Sequence, residues 1–100
     1  MGNYWKYHDF YVVGLYRLVD RCKKFAEIQS GFAADIAWET LDDLYDGRLI
    51  TEEEKHEIAE VMSSSVFQCP DIGVSSIVEA VNRIAGFDVL EEYAKICGVF

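Results

Sequence analysis

The sequence predicts an all-α fold, a compact bundle of about five short helices in a single domain spanning residues 1–100, and three features carry that expectation. Apolar residues recur with helical spacing in five segments. Gly31, Gly47, Gly86 and Gly98 each stand just past one such segment, where a chain leaving a helix needs a left-handed residue. No alternating run of β-branched residues is bounded by a hairpin dipeptide, so strands have no support.

The first helix is expected from about Asp9 to Gln29, where Val12, Leu15, Val19, Cys22, Phe25 and Ala26 repeat near 3.6 residues. The second is expected over about Ala33 to Asp46, with Ala33, Ala37, Leu41 and Leu44 on one face. Thr51 and Glu54 have the spacing of a reciprocal capping box and should open the third. That helix should run through Ile58, Val61 and Met62 towards Phe67, and Pro70 forbids its continuation. A fourth helix is expected from Ser75 or Ser76, with Ile77, Val81 and Ile84 inside and Gly86 at its end. Asp88 should cap a short fifth helix carrying Val89, Leu90, Tyr93, Ala94 and Cys97.

Composition narrows the function classes. The chain has 100 residues, 51% of them hydrophobic, and a formal charge of -9. With a pI near 4.5 most of its surface repels phosphate, which argues against direct nucleic-acid binding. That holds even for the aromatic-rich start, where Tyr4, Trp5, Tyr7, Phe10, Tyr11 and Tyr16 stand beside Lys6 and Arg17. No segment has the roughly 18 uninterrupted apolar residues of a membrane span, and MGNYWKYHDF lacks the apolar core of a signal peptide. A cytoplasmic protein without membrane contact is the expectation. Cys22, Cys69 and Cys97 are odd in number and widely spaced, so they are expected to be small buried hydrophobes and not a disulfide or zinc framework.

Charge is segregated along the chain. Residues 1–30 hold five Lys or Arg against three acids, and residues 31–100 hold four against fifteen. Asp35, Glu39, Asp42 and Asp46 fall at i, i+4, i+7 and i+11 and form one stripe opposite the apolar face of the second helix. Glu53, Glu57 and Glu60 repeat the pattern on the third, and the short turn between the two helices should bring both rows to one side. Arg17, Arg21 and Lys24 form a row of opposite sign on the first helix. Like charges four residues apart each cost a helix about 0.2–0.5 kcal/mol, so the acidic row carries a small stability penalty. Its carboxylates rise about 4.5 to 6 Å apart, comparable to phosphates along a nucleic-acid strand. Trp38 and Tyr45 flank the row, as aromatic anchors often flank charge at interfaces.

Catalytic arrangements are poorly represented. Only His8 and His56 are available for acid–base or nucleophilic work, and glycine-rich phosphate loops are absent. The segment from Asp42 to Glu53 resembles a degenerate EF-hand calcium loop, but Leu44 and Ile50 occupy two ligand positions. Glu39-x-x-Asp42 and Glu57-x-x-Glu60 resemble the paired acids of all-helical nucleotide pyrophosphohydrolases. That resemblance implies a magnesium-dependent hydrolase with those four carboxylates as ligands. It ranks second, because the family's second pair ends in Asp and its carboxylates turn into a cleft.

In size, charge and lack of catalytic motifs the chain resembles small phage-encoded inhibitors of bacterial defence, such as anti-CRISPR proteins and nucleic-acid mimics. The resemblance implies a viral, non-enzymatic stoichiometric inhibitor with no cofactor, metal or catalytic residue. Its partner would be a larger protein with a basic surface, including one built for nucleic acid. The binding residues are expected to be Asp35, Trp38, Glu39, Asp42, Tyr45, Asp46, Glu53, Glu57 and Glu60. A homo-oligomer, with the basic row of one copy on the acidic rows of another, is the structural alternative.

Overall fold

A computed structural model describes the backbone of residues 2–98 and the side chains of residues 8–70 and 72–98. Five α-helices account for most of it, and no strand occurs among the described residues. They are α1 (Gly2–Ile28), α2 (Gly31–Asp46), α3 (Glu52–Val61), α4 (Pro70–Ala85) and α5 (Val89–Ile96), with a π-helical turn over Met62–Val66 after α3. Leu44 and Leu49 approach Gly14 of α1 from the far end of α2, so α1 and α2 form an antiparallel hairpin.

The first helix starts seven residues before the expected Asp9. Nothing in residues 2–8 breaks a helix, but their crowded aromatics carry no helical period, so the pattern was silent there. Val12, Leu15, Leu18, Val19 and Cys22 then bury one stripe of α1. Gly31 does not close this helix. Gln29 takes the left-handed position with φ 55°, and Ser30 caps α2 by accepting the Ala33 N–H at 3.1 Å, so that Gly31 becomes the first residue of α2.

Gly47 is likewise displaced from its expected place. It sits at the C-cap with φ -78°, and Arg48 adopts the left-handed conformation at φ 61°. Arg48 N–H donates to Tyr45 O at 3.0 Å and Leu49 N–H to Leu44 O at 3.0 Å, which is a Schellman closure. The capping box of α3 forms as expected: Thr51 N–H donates to Glu54 Oε1 at 2.8 Å and Glu54 N–H to Thr51 Oγ1 at 3.1 Å.

After Val61 the chain stays helical but widens. Phe67 N–H donates to Met62 O, five residues back, at 3.0 Å. The wide turn undoes part of the rotation that four-residue spacing accumulates in an α-helix, so Ile58, Met62 and Val66 are all fully buried. Gly73 of α4 lies against this turn so closely that a Cβ there would stand 2.5 Å from Ser65 and Val66 backbone atoms.

The fourth helix begins at Pro70, not at Ser75 or Ser76. Proline fits the first helical position because its missing N–H would lack an intrahelical acceptor anyway. The helix ends at Gly86 (φ 82°) as expected, and Asp88 caps α5 by accepting the Glu91 N–H at 3.2 Å. Asn82 ties the two together, its Oδ1 accepting the Val89 N–H at 2.8 Å.

One apolar cluster joins the elements, with Leu15, Leu18 and Cys22 of α1 against Leu41 of α2, Ile58, Met62, Val66, Ile77, Val81 and Val89. Aromatic pairs close its edges: Tyr16 stacks on Tyr93 with ring centres 3.7 Å apart, and Phe67 sits between Phe25 and Trp38. The cysteines divide. Cys22 is buried, and its thiol is pushed up to about 12 by loss of solvent. Cys69 and Cys97 are exposed, contrary to expectation, because they fall at the N-cap of α4 and the C-cap of α5, beyond the apolar stripes of those helices. No described helix is long and apolar enough to cross a membrane.

Candidate functional site

The acidic row of α2 is a consequence of its register. With Ala33, Ala37, Leu41 and Leu44 buried against α1, helical geometry turns Asp35, Glu39, Asp42 and Asp46 outward, and all four are exposed. Asp43, one residue round the helix on the α1 side, is exposed as well and was not anticipated as part of this face. Asp35, Glu39, Asp43 and Asp46 make no ion pair with any described residue. Asp42 differs, because Lys55 Nζ of α3 reaches its Oδ1 at 3.1 Å.

Lys55 also lies over the Tyr45 ring, 4.7 Å from its centre. It therefore stands between the two acidic rows and neutralises the α3 side of the α2 ridge. Glu53 and Glu60 are exposed, while Glu57 is half-buried and accepts from both Nε and NH2 of Arg83 on α4, the former at 3.2 Å. Of the α3 row, Glu53 and Glu60 have no cation partner among the described residues. Trp38 is half-buried, stacked on Phe67 with ring centres 5.3 Å apart, which makes it part of the core edge. Tyr45 is partly exposed beneath Lys55.

The two acidic pairs are not gathered into one site. Asp42 faces Lys55 and Glu57 faces Arg83, so one member of each pair is already bound to a cation, and the two cations lie on different helices. No group of three or more His, Cys, Asp or Glu among the described residues is placed to share a metal ion. The calcium-loop resemblance dissolves for a related reason. Asp42, Leu44 and Asp46 lie within the last turns of α2, and Leu44 and Ile50 are core residues, so no open twelve-residue loop exists.

Lys55 and Arg83 are the site residues that pattern reading missed. Their partners lie on other helices, and no spacing within one helix encodes a tertiary ion pair. No family model matches the chain, and no curated protein or solved structure matches it.

Proposed function

We propose that the protein is a non-enzymatic binding module that docks the outer face of α2, with Glu53 and Glu60 of α3 beside it, onto a basic surface of a larger protein. The observation that carries this reading is the set of four unpaired, exposed carboxylates at Asp35, Glu39, Asp43 and Asp46 on one helix. A protein selected only for solubility gains nothing from concentrating like charge at helical spacing, whereas a basic partner gains from it in both association rate and orientation. A stoichiometric inhibitor that occupies a nucleic-acid groove, as phage proteins directed at bacterial defence do, fits the size of the chain and the spacing of the row.

The structure also selects the variant to test. Reversing Asp42 would set a second cation against Lys55, so binding and fold would change together. Glu39→Lys with Asp46→Lys touches only unpaired groups, and exposed changes of this kind usually stay within about 0.5 kcal/mol of neutral. Immobilised wild-type and doubly reversed protein should be compared for capture from native-host lysate, with mass spectrometry of the bound fraction. A partner retained by the wild type should be lost from the variant and should bind more weakly as salt rises. A partner held equally by both proteins, at every salt concentration, would refute the reading.

A further inference from the structure

A groove of about 620 Å³ runs between α1 and α2 on the side of the acidic ridge away from α3. Its floor is apolar, formed by Val13, Leu44 and Leu49 where the hairpin closes over Gly14. Its walls carry opposite charge: Arg17 on α1 and Asp43 on α2, neither of which has an ion-pair partner among the described residues. Asp9 and Phe10 lie at one end, and Arg21 and Thr40 at the other. Phe10 is 66% exposed, a large aromatic with little to cover it.

We infer that a second copy of this chain occupies the groove, in a two-fold symmetric dimer with the two α1 helices antiparallel. The lining is complementary to itself when reversed. Asp9 and Arg21 are separated by about 18 Å along α1, at about 1.5 Å per residue, and a dyad midway between them passes close to residue 15. That operation sets Asp9 of each copy against Arg21 of the other. It also sets Arg17 against Asp43 of the other copy, because Asp43 lies level with Gly14 across the hairpin. Phe10 is carried to the guanidinium end of the facing groove, where an aromatic ring and Arg21 attract one another. Among the described residues Arg21 is held only by its sequence neighbour Asp20 at 3.1 Å, a surface pair that costs little to exchange. A groove meant for a purely basic partner would not place Arg17 and Arg21 on one wall.

The test uses the full chain and needs no other partner, so it is independent of the docking role of Glu39 and Asp46. Light scattering coupled to gel filtration, up to about 1 mM protein to reach weak association, should give twice the 11.4 kDa chain mass for the wild type. Arg17→Glu and Asp43→Lys, each alone, place like charges together twice per dimer and should each weaken association at least about 100-fold, leaving monomers. Mixed in equal amounts, the two variants regain opposite charge at both contacts, and the dimer mass should return. Phe10→Ser should weaken the dimer at least about 10-fold with circular dichroism unchanged, which separates the groove from any folding defect of the charge variants. A wild type that stays monomeric overturns the inference and leaves the groove to another occupant. So does a dimer indifferent to the single reversals, or a mixture that fails to recover.

Discussion

Replacing Gly73 with alanine tests how α4 is seated on the π turn. A Cβ added there would meet Ser65 C and O and the Val66 Cα at 2.5 Å. Carbon atoms sit comfortably at about 3.5 to 4.0 Å, so the two backbones must part by about 1 Å. Neither side can yield by rotating a side chain, because the obstructing atoms are main chain. Overpacking of a buried site costs about 1–3 kcal/mol, and the better helix propensity of alanine returns about 1 kcal/mol at most. The net loss is about 0–2 kcal/mol, and its upper end corresponds to a fall in Tm of roughly 8–16 °C for a domain of this size. Gly31→Ala is the control, since nothing lies within 4 Å of its added Cβ and only the propensity change remains. Gly14→Ala should fall between the two: its Cβ would stand 2.5 Å from Leu44 Cδ2, the far end of a side chain that can turn away. Urea unfolding followed by far-ultraviolet circular dichroism, with unchanged m-values, gives all three numbers. Gly73→Ala matching or exceeding Gly31→Ala in stability would show that the close approach does not restrain the packing.

Two further outcomes follow from local chemistry. The Cys22 thiol titrates near 9.0 when solvated and near 12 in the fold, so the folded state keeps a proton that the unfolded state loses. Its stabilising contribution is intact below pH 9 and disappears as pH rises from 9 to 12; wild type should lose stability more steeply than Cys22→Ala in that window, by up to about 1.4 kcal/mol per pH unit, and equal slopes would refute the burial argument. Arg48→Gly should stabilise the protein by about 1 kcal/mol in the same urea assay, because φ 61° penalises a residue with a Cβ, and a destabilised variant would mean that the arginine side chain matters more than its backbone.

Much of the fold is legible in the chain because the dominant signal is local. Apolar spacing located the buried faces of α1 and α2, and the Thr51–Glu54 pair marked the start of α3 to the residue. The misreadings concern residues whose role depends on geometry outside their own segment. Gly31 and Gly47 stand where helix terminators are expected, yet Gln29 and Arg48 bear the left-handed backbone. Pro70 lies beyond the end of α3 and its π turn, as expected, but α4 starts there and not at Ser75 or Ser76, because the same fixed φ suits a first helical residue. The π turn has no sequence signature at all. Within the candidate face, periodicity was enough to expose Asp35, Glu39 and Asp46, but Lys55 and Arg83 reach their acids across helices. Trp38 belongs to Phe67, a pairing that no single-helix pattern announces.

Gly14 has an electrostatic effect as well as a steric one. By letting α2 close on α1 it sets the helix that carries Arg17, Arg21 and Lys24 beside the helix that carries Asp35, Glu39, Asp43 and Asp46, and the pair forms a transverse dipole superimposed on a net charge of -9. A charged body diffusing nearby then feels a torque as well as a pull, and it is turned to a preferred heading before any atom touches. The residue that governs this orientation bears no charge itself. Its only contribution is the absence of a side chain at the point where the two helices meet.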